Sequence, residues 1–358
     1  MKICIISKFP PIEGGISAKT YWLAKGCAEA GAEVHIVTNA CEVEDDYRIL
    51  SCGEDYYLPQ GVFIHNVEQN TPWHIPFSPL YLEKLLDKTV KVCTEHQIDL
   101  IDSHYLVPYG IAAFLAAKIT GIPYIIRHGG SDMAKFWQQG ILKELLKRAL
   151  EEAIVVITTS SNRKELSWNN PRVMSFPPYV PDERCFTPDA GAKRGMIFAY
   201  VGKINYHWQH RGLNQIVDFW DSFSNRSSLV FLAQGKGKED FIRQCNVTKV
   251  QFRDFIHPWE MPAFLKKVDY LFYLVRNNPI PDFSNTVVEA VACGAKIITD
   301  DLPAFEIYQP FFNVTDLVLS MDSFTIHATA SESGTLLKTN YTSYIESNLE
   351  VYERIKRG

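Results

Sequence analysis

The stretch MIFAYVGKINYHWQHRGLNQIVDFW, Met196–Trp220, decides how this chain is read. MIFAYVG is a continuous apolar run closed by a glycine. A polar loop follows, and RGLNQIVDFWDSF (Arg211–Phe223) then repeats its apolar residues at helical spacing. The first residues have the same order. ICIIS (Ile3–Ser7) reads as a buried strand, a loop carries Gly14 and Gly15, and a helix is expected from about Ser17 to Ala30, stopped by Gly31. Runs of Ile and Val without alternation point to strands covered on both faces, as in a parallel sheet. Between the two starts lies Pro181–Gly195, polar and bearing Pro and Gly, which reads as a linker. The expected fold class is α/β, with two Rossmann-like domains in tandem, their parallel sheets facing across a cleft.

The remaining pattern fits that frame. VHIVT, IDLIDS, YIIRH and IVVITT are further strands of the first half, separated by helical patterns at Pro108–Thr120 and Gln138–Glu152. SLVFLAQG, VDYLFYLV and AKIITD continue the second half. The expected boundaries are an N-terminal domain over 1–182, a C-terminal domain over 183–340, and a final amphipathic helix over 341–358 packing back across the domain junction. In open parallel sheets, ligands bind beyond the carboxyl ends of the strands, and the notable residues all follow a strand.

The bulk numbers exclude several classes. In 358 residues, 46% hydrophobic and 22% charged, the net charge is −5, which lacks the basic footprint of broad nucleic-acid binding. The first residues, MKICIISKFPP, have too short an apolar run for a signal peptide, and no window approaches the length of a membrane helix. Eight cysteines, none in a C-x-x-C pair, read as reduced thiols of a cytoplasmic protein and suggest no zinc site.

Four constellations carry the chemistry. EGGIS (Glu13–Ser17) sets Gly14 and Gly15 before a helix, where the backbone can approach an anion and free N–H groups point at it; without G-x-G-x-x-G, dinucleotide binding is not supported. RHGGSD (Arg127–Asp132) places His128 at a strand end, either as a donor to a ligand or as part of a turn, with Asp132 as a cap for the next helix. In YVGKINYHWQHRGL, Lys203 follows the strand and Arg211 opens the helix. A cation about 4 Å from a phosphate is worth roughly 4 kcal/mol at an effective dielectric near 20, against ~0.3–2 kcal/mol for a helix N-terminus, so these two would dominate the stabilisation of a leaving diphosphate. Arg211 also opposes its own helix dipole unless an anion meets it. Last, PIPDFSNTVVEAVACGAKII (Pro279–Ile298) contains Thr286-Val-Val-Glu289, which fits a capping box with Thr286 as N-cap; Glu289 equally suits a ribose diol, and the two roles are compatible.

Taken in order, these stretches resemble the retaining glycosyltransferases of the GT-B fold, glycosyltransferase family 4, over roughly residues 1–300. PPIEGG is similar to that family's N-terminal glycine loop. DSHYLVPYGIAA and IIRHGGSD resemble its histidine-bearing segments, PPYVPDERCFTPD its inter-domain crossover, and FLAQGKGKEDF its glycine turn. Two sets of departures stand out. Lys203 and Arg211 are exchanged in type relative to the family, and a bidentate Arg is not interchangeable with Lys. The family's Glu-x7-Glu retains its second member in Glu289, but its first position is Pro281, beside Asp282 and the expected aromatic Phe283.

The resemblance implies metal-independent, cofactor-free transfer of a sugar from a UDP-, GDP- or ADP-sugar to a saccharide or lipid-linked saccharide, with retention and by a front-face route, in polysaccharide or glycoconjugate biosynthesis. It implies catalytic roles for His128, Lys203 and Arg211, and donor contacts from Gly14, Gly15, Asp282, Phe283, Ser284, Asn285 and Glu289. No nucleic-acid partner is implied. The expected location is the cytoplasm; the aromatic insert Asn70–Leu86 would serve peripheral contact with the inner face of a membrane if it did not tuck against its domain. The alternatives are a catalytically silent nucleotide-sugar binder or partner subunit on the same scaffold, and a GT-B nucleotide-sugar epimerase.

Overall fold

The computed structural model describes residues 1–49, 58–68, 81–128, 132, 140, 142–158, 166, 170–189, 196–222, 227–245, 250–276, 283–323 and 340–357. Two parallel sheets organise it. The first holds β1 (Lys2–Ile6), β2 (Glu33–Thr38), β3 (Val62–Asn66), β4 (Leu100–His104), β5 (Tyr124–Arg127), β6 (Val155–Thr158) and β7 (Val173–Ser175), in the order β3-β2-β1-β4-β5-β6-β7. The second holds β8 (Met196–Val201), β9 (Ser227–Leu232), β10 (Val250–Arg253), β11 (Tyr270–Phe272), β12 (Lys296–Thr299) and β13 (Val318–Ser320), in the order β10-β9-β8-β11-β12-β13. Strand direction is parallel throughout, with Ile3 opposite Val34 and Leu100, and Phe198 opposite Leu229 and Tyr270. Both orders reverse beside their first strand. The loops after β1 and β8 therefore leave at the switch points, where a crevice opens in such sheets.

The helices that cover these sheets are α1 (Gly15–Glu29), α2 (Tyr81–His96), α3 (Ile111–Thr120), α4 (Lys143–Glu152), α5 (Leu213–Ser222), α6 (Lys238–Gln244), α7 (Met261–Leu265), α8 (Asn285–Ala292), α9 (Val314–Leu317) and α10 (Tyr341–Arg357). Residues Ile3 to Ile6 of β1 are fully buried, as expected of a strand with helices on both faces. Helix α3 starts three residues later than its pattern suggests, because a five-residue turn over Leu106–Gly110 precedes it. Helix α2 revises the reading of Asn70–Leu86. Residues 69–80 fall outside the described ones, but from Tyr81 the chain is already helical, with Leu85, Val92 and Cys93 buried at helical spacing. Among the described residues no helix is long and apolar enough to cross a membrane.

Helix α10 lies on the first sheet's side. Its buried face is Tyr341, Tyr344, Ile345, Asn348, Val351 and Tyr352, a stripe of helical period. It packs on α1 at Gly26, where even a methyl group would sit 2.4 Å from Ile345 Cδ1. Tyr341 donates its hydroxyl proton to the Trp22 carbonyl. At the far end, Tyr352 donates to Asp102 Oδ2 at 2.5 Å and accepts from Arg127 Nη2 at 2.7 Å, while Arg127 Nε donates to both Asp102 oxygens at 3.0 and 2.8 Å. All three side chains are buried. Burial alone would raise the Asp102 carboxyl, but Arg127, aided by His104 and the Tyr352 hydroxyl, holds it well below the ordinary carboxylate range.

Tyr352→Phe keeps the packing and removes the hydroxyl that both partners use. An unsatisfied buried polar group costs about 1–3 kcal/mol, so the unfolding free energy is expected to fall by that amount, seen as a lower urea midpoint at unchanged m-value. An unmoved midpoint would show that the Tyr352 hydroxyl does not contribute to holding α10.

Candidate functional site

The loops after β1 and β8 meet. Gly14 has φ +110°, a conformation that favours glycine, and a Cβ there would lie 3.8 Å from Lys203 Cε. The preceding residue, Glu13, is buried at 4% exposure and forms an ion pair with Lys203 Nζ. Burial raises the Glu13 carboxyl, and Lys203, Lys8 and Arg211 pull it back down. One carboxylate thus sits among three cations at the start of α1. Tyr47 lies over the same place: its ring is 4.9 Å from Lys203 Nζ, its carbonyl accepts from the Glu13 amide, and its hydroxyl donates to Asn205 Oδ1 at 3.3 Å.

The Lys203 loop is held from below by the glycine turn after β9. The Ile204 amide donates to the Gln234 carbonyl at 2.8 Å, and the Gly237 amide donates to the Ile204 carbonyl at 2.9 Å. A Cβ on Gly235 or Gly237 would come within 2.6 Å of the Ile204 carbonyl oxygen or 2.1 Å of that of Asn205. Those glycines are required for close packing, whatever ligand lies above them. Gly202 is needed too, since a Cβ there would meet the Tyr200 hydroxyl at 2.7 Å. Arg211 corrects its expected place. It ends a short 3-10 turn (Trp208–Arg211), Gly212 at φ +64° breaks the chain, and α5 begins at Leu213. Arg211 is exposed and interacts with the Tyr200 hydroxyl.

Helix α8 supplies the third wall. Its first residue, Asn285, donates through Nδ2 to the Gly15 carbonyl at 2.8 Å, joining the two helix starts directly. The expected capping box does not form. Ser284 is the N-cap, Thr286 lies inside the first turn, and no side chain caps the helix. Glu289 is a turn too deep to reach back; it is 3% exposed, and its Oε1 accepts from the Tyr179 hydroxyl at 2.9 Å. Burial pushes its carboxyl up to about 7 against the lowering effect of Tyr179. The Ser284 amide donates to the Tyr308 hydroxyl at 2.8 Å, so this N–H already has a partner within the protein. Phe283 packs on Tyr308 and Phe311, with ring centroids 5.1 and 4.9 Å away, and anchors the segment. Pro281 and Asp282 lie outside the described residues.

His128 is buried at the end of β5. Its Nε2 bonds Thr158 Oγ1, its Nδ1 lies 3.9 Å from Asp132 Oδ1, and burial together with Lys19 brings the imidazole down to about 4. Asp132 accepts from the Leu106 amide at 2.7 Å, which ties it to the turn after β4; the residues that follow Asp132 are not among those described.

Residues 14–166 match the glycosyl transferase 4-like domain family. The N-acetyl-alpha-D-glucosaminyl L-malate synthase of Bacillus anthracis is 23% identical over 316 residues, covering 83% of this chain and 78% of that protein. A sucrose-phosphate synthase from Thermosynechococcus elongatus superposes with a TM-score of 0.62 at 15% identity, over 99% of this chain and 91% of the other. HepE of Anabaena, solved with UDP-glucose, gives 0.60 at 14% identity over 99% and 92%. A UDP-GlcNAc 2-epimerase from Methanocaldococcus jannaschii gives 0.57 at 11% identity over 98% and 100%. The chain has the GT-B fold, and its residues 14–166 are similar to the glycosyl transferase 4-like domain.

In this GT-B protein the structure brings together Gly14, Gly15, Lys203, Arg211 and Asn285. It sets Glu289 behind them against Tyr179, and it gives Ser284 and Phe283 structural partners. Sequence reading passed over Glu13, although it stands inside the quoted EGGIS: a buried acidic residue beside a glycine helix start needs a nearby cation, and Lys203 supplies it. Lys19 was passed over too. It lies one turn beyond Gly15, its ammonium lowered to about 8 by burial and Arg127 against the pull of Asp102 and Asp132. Its signal is the i, i+4 spacing from the glycine.

Glu289 gives a pH prediction. A carboxyl with a raised pKa binds its proton more tightly in the folded state. Its contribution to stability is therefore full below the ordinary 4.5 and is lost as pH rises through about 7. Glu289→Gln is expected to flatten that dependence and to be the more stable protein at pH 8, by at most about 3 kcal/mol. Urea melts at pH 5 and pH 8 check it; parallel pH curves for the two proteins would assign the titration elsewhere.

Proposed function

We propose that this protein transfers a sugar from a nucleoside-diphosphate donor to a saccharide or lipid-linked saccharide acceptor, with retention at the anomeric carbon. The observation that carries the reading is the convergence of the β1 and β8 loops at both switch points, with Lys203, Arg211 and Lys8 around the start of α1. Such an arrangement suits a diphosphate: a helix N-terminus with a glycine approach on one side and cations on the other. HepE, of the same fold, is solved with UDP and with UDP-glucose.

In this reading the N-terminal domain, 1–182, faces the acceptor and the C-terminal domain, 183–340, holds the donor. Lys203 leaves Glu13 for the diphosphate, and Arg211 joins it. These cations supply the charge that a divalent ion would otherwise bring, which makes the transfer metal-independent. Glu289, steadied by Tyr179 through Oε1, offers Oε2 to the ribose. His128, neutral above about pH 4, donates a hydrogen bond to the donor sugar. Scission of the anomeric bond gives an oxocarbenium-like species. The leaving phosphate takes the acceptor's proton on the same face, so no side-chain nucleophile is required. Peripheral contact with a membrane through Asn70–Leu86 belongs to the same proposal.

Two measurements test this. A thermal-shift panel of UDP-, GDP- and ADP-sugars should find one donor that stabilises the protein by about 2.7 kcal/mol at a hundred times its dissociation constant; no shift with any donor would sink the reading. Lys203→Ala and Arg211→Ala should each lower kcat by about 10²-fold, the scale of losing one charge-stabilising group, and near-native rates would remove the phosphate clamp. Running the reaction without acceptor separates transfer from epimerisation, the activity named for two structural neighbours: an altered sugar nucleotide under those conditions would favour the epimerase.

A further inference from the structure

Three histidines meet at the edge of the first sheet, away from the residues discussed so far. His35 lies on β2, His65 on the edge strand β3, and His96 is the last residue of α2. One ring nitrogen from each falls within 4.8 Å of the other two. The His35 and His65 rings are stacked at 5.1 Å, and His96 tilts over His35 at 4.3 Å. His35 Nδ1 faces His65 Nε2 at 2.9 Å. On its other side, His35 Nε2 bonds Glu33 Oε1 at 2.9 Å.

That last contact sets the chemistry. Glu33 accepts the Nε2 proton, so His35 turns the lone pair of Nδ1 toward His65 and His96. A carboxylate behind a histidine is the usual outer support of a metal-binding imidazole; it fixes the tautomer and raises the basicity of the coordinating nitrogen. Imidazole ligands suit zinc and its neighbours in the first transition row. At zinc–nitrogen bonds of 2.0–2.1 Å, the nitrogens around a tetrahedral ion stand about 3.4 Å apart, a spacing that small ring rotations reach from the present one. His35 is 1% exposed and gives the site a dry floor, while His65 and His96 are half-buried and leave an entry path. Lys2 shares the same Glu33 oxygen, its Nζ lying 3.1 Å from Oε1.

We propose that His35, His65 and His96 form a three-histidine site for a divalent transition-metal ion, zinc foremost, with water as the fourth ligand and Glu33 positioning His35. The ion ties β2, the edge strand β3 and the end of α2 together. It is separate from sugar transfer and stands whether or not that reading holds.

The test uses the full chain, stripped with a chelator, dialysed against equimolar zinc and then against metal-free buffer. The native protein is expected to keep one zinc per chain, measured by elemental analysis, and to melt at a higher temperature with zinc than without. His65→Gln and His96→Asn, both at half-exposed positions and so tolerant of change, should abolish retention and the thermal shift. Glu33→Gln should weaken binding about 10–100-fold, the scale for an outer-shell partner. Two outcomes overturn the proposal: native protein that keeps no stoichiometric zinc, or equal retention by the His65→Gln/His96→Asn double variant, which would put the ion elsewhere.

Discussion

Asp102 and Arg127 are charged and out of water, and moving such ions from solvent costs several kcal/mol each. The pair is tolerable because its bonds are met: both Asp102 oxygens face Arg127 Nε, and Tyr352 completes the set from the last helix. The polar chain continues from there. His104 Nε2 lies 3.6 Å from Asp102, His104 Nδ1 meets Thr20 Oγ1 at 2.9 Å, and Thr20 meets Ser7 at 2.8 Å. Thr20 belongs to α1. One buried network therefore keys the ends of β4 and β5, the C-terminal helix and the helix that starts at Gly15 into a single relative position. Specificity is what such a network supplies. An apolar replacement could pack as well, but it would not fix the roll of α1 about its axis.

That roll decides what the start of α1 presents. With Thr20 turned into the sheet, the Gly14–Gly15 end faces the second domain, and its carbonyl accepts from Asn285 of α8. The second domain answers with a loop that is rigid for a different reason: the Gly235–Gly237 turn lies against the Lys203–Asn205 backbone too closely for any side chain. The facing surfaces are thus set separately, one by a buried ion pair and one by glycine packing. They join through polar contacts, Glu13 to Lys203, Tyr47 to Asn205, Lys236 to Glu44 at 2.6 Å, Tyr179 to Glu289 and Asn285 to Gly15, and through one apolar core that includes Tyr21 and Trp22 of α1 and Val287 and Val288 of α8.

The doubled strand–loop–helix pattern was legible because continuous apolar runs mark strands covered on both faces, and the central strands of both sheets were placed from them. The edge strands were not. Val62–Asn66 and Val250–Arg253 are only partly buried and carry His65, Gln251 and Arg253, so no apolar run announces them. In the site, the glycines and Lys203 could be read because their types match one local chemistry. The partner of Glu289 could not: Tyr179 stands 110 residues earlier, in the stretch between the domains, and no local pattern encodes that distance. The capping box misled for a related reason. Thr286 and Glu289 have the right spacing, but the helix starts at Asn285, because Ser284 is pinned to Tyr308 and its backbone is extended at that point.

Glu13 is the residue that gives the cleft its electrostatic sense. A carboxylate in the place of an anion looks self-defeating until the charges around it are counted. Lys203, Arg211 and Lys8 surround it, leaving an excess of two positive charges in a partly buried space. Without Glu13 the three cations would repel one another across the domain gap. With it, Lys203 has a partner, and an ion pair joins the two domains. Burial already favours the protonated carboxyl. In the proposed transfer, a phosphate that took Lys203 would remove the main influence opposing that and drive Glu13 toward the neutral acid. On that reading Glu13 holds the cations in place before the donor binds and weakens its own claim on them afterwards.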